Sequence, residues 1–401
     1  MIFLSIGLAD ILGILTQIAI ILGVGFILKL FSDRTNAPFV VLLILSGTAL
    51  ATISVLHIQK LGVIPDTLRM LALIIVVFAN GFYLKTQNIL KQGSLIITLA
   101  TFGVILTATI VAFISHALLG LALLPALFLG SLLCGTDPAV VASIMNKFPK
   151  KIQTILNTES IMNQPLTVIL PLIIFDFVVY KPAIVIALPL YMAKLVLLAG
   201  VGIVVGLAGF FIGQHILRLA GVELEEIAGL VIALIAYVLA ENLGGSGIVA
   251  VGITSILLNS SKAPTKETFT EFNRELALIF TIFVFVMLGM EFPLQMLDVL
   301  EITRFDFIVV IFSVVLARLI TILVVTYKSN LAIDERIKLG LIAPKGIGPA
   351  ALAPLALAMA ATSEFISMQA AFTIIKIVYL TIIISALLAI IVAKLFDSSK
   401  A

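Results

Sequence analysis

Apolar residues run along this chain in long stretches, without the alternation of a half-buried strand or the striping of an amphipathic helix. Residues 8–29 carry charge only at Asp10 and Lys29. A helix needs about 20 predominantly apolar residues to cross a bilayer. Cutting the chain at charged and Pro/Gly-rich breaks predicts about thirteen such helices, near 8–29, 38–56, 67–84, 94–118, 122–146, 153–179, 183–213, 223–241, 246–259, 273–290, 305–327, 335–360 and 367–394. The expectation is an all-α membrane protein made of a single transmembrane unit over 1–401.

Composition agrees with the pattern. The chain is 62% hydrophobic and 11% charged, with a mean hydropathy of +1.29, whereas a soluble domain carries about 25% charge. The 24 basic against 21 acidic residues leave too thin an excess for a nucleic-acid surface. A single cysteine, Cys134, excludes an internal disulfide. The first stretch lacks the basic head and cleavage site of a signal peptide, so it is expected to stay as a span. The few residues after the last stretch predict no cytosolic regulatory domain.

Lys and Arg fall unevenly between alternate loops. One set holds Lys85, Lys91, Lys147, Lys150, Lys151, Lys262, Lys266, Lys328, Arg336, Lys338 and Lys400 among others, and the other set only Lys60, Arg69, Lys181 and Arg304. Positive residues stay inside, which puts the C-terminus in the cytoplasm and, with an odd span count, the N-terminus outside. Lys194, Arg318, Lys345 and Lys376 fall within spans. A charge at mid-membrane costs about 2.5–3.5 kcal/mol on insertion scales and marks function or pairing.

Two spans carry helix breakers at mid-length: Gly135-Thr136-Asp137-Pro138 and Pro344-Lys345-Gly346-Ile347-Gly348-Pro349. Proline removes a backbone donor and glycine weakens propagation, so both spans should unwind. Unwound backbone at that depth must be buried or line a wet cavity. Asp137 and Lys345 lie 345 − 137 = 208 positions apart, and other span starts repeat at an offset of about 210. Interruptions at matching places in two halves point to inverted repeats and to a transporter's binding site. The predicted division is a first repeat over about 1–180, a linker helix over about 183–213 and a second repeat over about 223–395.

The sixth span opens with Asn157-Thr158-Glu159-Ser160-Ile161-Met162-Asn163-Gln164-Pro165. Helical spacing puts Glu159 over Asn163 and Ser160 over Gln164. With Asp137 and the carbonyls of the broken span, these side chains form an oxygen-rich set suited to a hard monovalent cation. The plainer alternative is a satisfied hydrogen-bond network that glues helices together.

Thr136-Asp137-Pro138, Glu159-Ser160 with Asn163, Ala317-Arg318-Leu319, and Pro344-Lys345-Gly346 with Pro349-Ala350-Ala351 together resemble the NhaP-type branch of the monovalent cation/proton antiporter superfamily. The resemblance covers essentially the whole chain. It implies a homodimer with ion-binding core helices over about 94–179 and 305–394, and an elevator-like exchange of sodium, potassium or lithium for protons across a prokaryotic plasma membrane. Thr136, Asp137, Ser160, Asn163, Gln164 and Asn80 become the implied ion-site positions, with sodium near Asp137, Ser160 and Gln164. Glu159, Arg318 and Lys345 become the charge-pairing set.

The sequence departs from that pattern at three of these positions. The family acid after the asparagine is Gln164, the acid of the third span is Asn80, and the arginine of the twelfth span is Lys345. A glutamine oxygen can coordinate a cation, but the amide does not titrate. A proton must then travel on Asp137, Glu159 or Lys345, since buried carboxylates and lysines change charge where arginine does not. Asp137 is the preferred cation ligand and Glu159–Arg318 the expected bracing ion pair.

Other features have plainer readings. Gly244-Gly245-Ser246-Gly247 matches the GxSG of intramembrane serine proteases, but a tight turn is expected there because no His follows it. Gly202, Gly206, Gly209 and Gly213 mark close helix packing, Lys194 is expected to snorkel, and Glu241 and Glu291 are expected in interface water. The acidic stretch 291–306 is read as a solvated loop. No P-loop, dinucleotide fingerprint, HExxH or paired CxxC occurs, so neither enzyme chemistry nor a cofactor is expected.

Overall fold

A computed structural model of the protein describes residues 8–35, 37–82, 93–144, 148–180, 184–260, 267–292 and 304–396. Among the described residues there are helices and turns and no strand. They run as α1 (Leu8–Thr35), α2 (Phe39–Thr52), a short 3-10 turn Ile58–Leu61, and α3 (Ile64–Phe82). Next come α4 (Gly93–Leu119), α5 (Leu123–Leu133), α6 (Pro138–Ile144), α7 (Lys150–Met162) and α8 (Gln164–Tyr180). The second half holds α9 (Ile184–Asn242), α10 (Gly247–Ser260), α11 (Glu267–Met290) and α12 (Arg304–Val325). It closes with α13 (Ile333–Leu341), α14 (Ile347–Leu352), α15 (Leu355–Thr362) and α16 (Met368–Leu395).

These helices fill the thirteen spans predicted from the sequence. The run α9 holds 59 residues, about 88 Å at 1.5 Å per residue, roughly three times the hydrocarbon thickness. It therefore folds back on itself. A Cβ on Gly209 would lie 3.6 Å from that of Ala236, and one on Gly213 would lie 3.3 Å from Ile232. The two pairs are symmetric about residue 222–223, so the run is a hairpin of two arms, the seventh and eighth spans. The four small residues do what their spacing suggested. Cβ atoms on Gly202 and Gly206 would press on Ser246 O, just before α10, and on Ile253 Cβ within it, at 2.7 and 2.8 Å. The turn that follows uses Gly244 in the left-handed region at φ +72°. Ser246 then caps α10, its Oγ accepting from Val249 N–H at 3.4 Å, a structural duty rather than a nucleophile's.

Three spans are interrupted. The fifth breaks between α5 and α6, and the twelfth between α13 and α14, as the Pro/Gly pattern predicted. The sixth was expected to be continuous, but it steps at Asn163 between α7 and α8. The cause is Pro165, which has no N–H to return to the carbonyl four residues earlier. The ladder is carried instead by Asn163 N–H to Glu159 O at 2.9 Å and Thr167 N–H to Asn163 O at 3.0 Å.

In lipid the hydrophobic effect does not draw helices together; close packing and polar contacts do. α2 and α11 show the first. A Cβ on Gly47 would overlap the carbonyl oxygen of Val286, and one on Gly289 would overlap that of Ile44. α2, α3, α10 and α11 form one packed group and α4, α5, α8, α12 and α16 another, with α14 touching both. Where the groups meet, Tyr379 Oη shares a hydrogen bond with Thr48 Oγ1 at 2.9 Å, and Thr48 Oγ1 also donates to Gly289 O at 3.1 Å.

Three sequence expectations need correction. Arg69 is not a loop residue: it is buried in α3, bonded to Asp66 at 2.9 Å and to Glu291. Glu291 is accordingly a mostly buried ion-pair partner rather than a group in interface water. Lys194 does more than snorkel, since it donates to Asp176 Oδ2 at 2.8 Å. Most of the acidic loop, and the basic residues Lys85, Lys91, Lys147, Lys181, Lys262, Lys266 and Lys400, lie outside the described residues.

Candidate functional site

Each broken span leaves backbone groups without helical partners, and buried backbone groups must find others. Here they find each other. Asp137 N–H donates to Pro344 O at 2.9 Å, and Lys345 Nζ donates to Gly135 O at 2.6 Å. The Asp137 carboxylate bridges both half-helices. Its Oδ1 accepts from Val140 N–H at 2.9 Å at the start of α6, and its Oδ2 accepts from Ile347 N–H at 3.1 Å at the start of α14. A carboxylate at two helix N-termini sits where negative charge is favoured. Gly346 is required at this crossing, because a Cβ there would overlap the Asp137 carboxylate.

The sixth span supplies the amides. Asn163 Nδ2 donates to Thr136 Oγ1 at 3.0 Å, while Asn163 Oδ1 is buried with no hydrogen-bond partner among the described residues. Asn80 Nδ2, on α3, donates to Gln164 Oε1 at 3.2 Å. The two neutral residues that replace family acids therefore face each other. Gln164, Thr136, Asp137, Gly135 and Gly346 all line one cavity of about 20 Å³, closed by Leu73, Val77 and Thr167. That is room for one water-sized body, since one water needs about 10–15 Å³ by the same measure. Ser160 stands apart, its Oγ donating back to Asn157 O at 3.0 Å.

Glu159 and Arg318 form the expected pair, buried to 1% and 3% exposure and joined by two bonds of 2.6 and 2.5 Å. Two residues of the site went unnoticed in the sequence. Thr167 presses on Gly135, where a Cβ would meet its Cγ2 at 2.5 Å, and Ser385 Oγ accepts the Lys345 backbone N–H at 3.0 Å. Both are hydroxyls in apolar helices, a residue type that usually just bonds its own turn, so nothing marked them.

The family model for the transmembrane region of sodium/hydrogen exchangers matches residues 18–394. The chain belongs to that family, a multi-pass membrane transporter family. It is 26% identical over 335 residues to the low-affinity Na+/H+ antiporter NhaS1 of Synechocystis sp., covering 80% of this chain and 62% of that one. It is 24% identical over 365 residues to the probable Na+/H+ antiporter 2 of Methanocaldococcus jannaschii, covering 85% and 84%. In fold it is similar to the sodium/proton antiporter MjNhaP1 of Methanocaldococcus jannaschii, with a TM-score of 0.84, 22% identity, and 97% and 100% of the two chains covered. The chain spans 62%, 54% and 50% of the lengths of three of its curated relatives.

Proposed function

We propose that this protein is a secondary transporter that exchanges a monovalent cation, sodium first, for protons at the crossing of its broken helices. The observation that carries the reading is the Asp137 carboxylate, which joins both half-helices beside a cavity sized for one ion. Gly135 O, Thr136 Oγ1, Gln164 Oε1 and Asp137 are the oxygens available to a dehydrated cation, and Asn163 positions Thr136. Asn163 Oδ1 has the unsatisfied capacity to join them.

The proton travels on Lys345 in this reading. Glu159 is locked to Arg318, Gln164 does not titrate, and Asp137 is engaged by two backbone N–H groups. Charge counting supports the assignment. Asp137 and Glu159 against Arg318 and Lys345 leave the empty site neutral. One cation entering as Lys345 releases one proton leaves it neutral again. The arriving cation also takes over Gly135 O, which the ammonium holds in its absence. Lysine can make this change of charge where arginine cannot.

The wider assignments rest on the same reading: a homodimer in a prokaryotic plasma membrane, N-terminus outside and C-terminus in the cytoplasm. Two inverted repeats flank a linker helix, and the helices over about 94–179 and 305–394 form the moving core. The Asn80–Gln164 amide pair favours a second reading, a transporter of this fold with altered proton coupling, because it puts no titratable group where the family pattern has two.

Reconstitution separates the two readings. Proteoliposomes with an imposed sodium gradient and a lumenal pH dye should show proton flux that Asp137→Asn abolishes. Sodium movement without proton movement would favour the second.

A further inference from the structure

The break between α13 and α14 is held in place by three backbone bonds. Two of them involve Asp137: its N–H donates to Pro344 O, and its carboxylate accepts from Ile347 N–H. The third comes from outside the crossing. Ser385, on α16, accepts the Lys345 N–H at 3.0 Å. A hydroxyl has one hydrogen and two lone pairs. Ser385 gives its hydrogen to Ile382 O at 3.2 Å, one turn earlier, which turns a lone pair toward Lys345.

We infer that Ser385 is a positioning residue for the Lys345 ammonium, setting the reach of that side chain to Gly135 O. Lys345 is buried to 1% exposure and tied at both ends, its amide to Ser385 and its Nζ to Gly135 O. The Pro344–Lys345 peptide is one planar unit gripped at both edges: its carbonyl accepts from Asp137 N–H and its N–H donates to Ser385 Oγ. Ser385 is the side chain on the N–H edge of that peptide, so with Asp137 on the carbonyl edge it sets the tilt from which the ammonium's stem begins. Because α16 packs on both α14 and α5, the tie references Lys345 to the half-helix that presents Gly135. The bond joins a side chain to a backbone amide, so it fixes any residue placed at 345 and acts on exchange only through that residue's side chain. This inference rests on the exchange reading, in which Lys345 carries the proton.

The test compares native protein, Ser385→Ala and Ser385→Thr, each full length and reconstituted. Ser385→Ala should move the pH of half-maximal exchange by about half a unit or more. Ser385→Thr, which keeps the hydroxyl, should restore the native profile. Hydrogen–deuterium exchange should show the peptide spanning 342–348 losing about tenfold protection at one amide in Ser385→Ala, with other peptides unchanged. Native exchange with an identical pH profile in Ser385→Ala would overturn the inference and leave the exchange reading standing. So would a shift that Ser385→Thr fails to reverse, since that would be packing rather than the hydroxyl. No exchange by the native protein under any cation gradient would defeat the exchange reading itself, and the role given to Ser385 with it.

Discussion

At the scale of single residues, the membrane interior makes charge pairing an all-or-nothing matter. Glu159 and Arg318 stabilise one another only while both are present, because removing one leaves the other desolvated and unpaired. Glu159→Ala alone should lower stability by about 3–5 kcal/mol, whereas an apolar pair such as Glu159→Leu with Arg318→Met should regain most of it. Thermal unfolding in detergent, compared across the single and double variants, measures this. Asp137→Asn should fail differently. An amide offers one oxygen where the carboxylate offers two, so either the Val140 or the Ile347 N–H loses its acceptor. Loss of cation binding should come with faster amide exchange at the start of α6 or α14. Residues of this kind were legible in the sequence because a charge inside an apolar run is conspicuous. Ser385 and Thr167 were not, because a Ser or Thr hydroxyl in such a run bonds its own helix by default, as both do here, and only three-dimensional packing reveals what else they touch.

Elements are held by close approach and by ties at their ends. Gly47→Val would force a side chain into the backbone of α11 at Val286. Overpacking of this kind costs about 1–3 kcal/mol and should appear as a lower melting temperature. At the far side of the molecule, Lys151 at the start of α7 donates to Glu335 at 2.8 Å, and Glu335 also accepts from Ala332 N–H at 2.9 Å. Counted into the twelfth span from sequence, this charged first turn of α13 lies outside it, because the apolar stretch begins only at Leu339. The Lys151 hydrogen bond, more than any other contact, holds the Glu335 carboxyl below its ordinary value of 4.5. A lowered value means the tie contributes above pH 4.5 and is lost as pH falls through the lowered value. Both side chains are partly exposed, so the contribution is about 0.2–1 kcal/mol. The melting-temperature difference between native protein and Glu335→Gln should be present at pH 7 and shrink toward zero as the solution is acidified below that point. A difference independent of pH would rule the tie out. Breaks at Pro and Gly were readable from sequence in the fifth and twelfth spans. The step at Asn163 was missed because Pro165 follows a polar run that looked like an ordinary helix start.

For the whole molecule, hydropathy was enough to place the apolar helices among the described residues, since bilayer thickness fixes helix length. The hairpin within α9 shows the same rule at work, as no single helix of that length could stay in the membrane. The meeting of the fifth and twelfth spans was implied by their matching breaks, but the pairings at the crossing were not, because they depend on which carbonyl each break exposes. Hydropathy also could not say that Asn80 and Gln164 would face each other across two helix groups. That pairing frames the central claim, that the fold exchanges ions although its customary acid is an amide.

The most direct test is sodium-gradient-driven proton flux through reconstituted Lys345→Arg, alone and combined with Gln164→Asp, against the native chain. The account predicts flux in the native protein, none in Lys345→Arg because arginine holds its proton, and recovery when Gln164→Asp supplies a second titrating group. Undiminished flux through Lys345→Arg alone would contradict it.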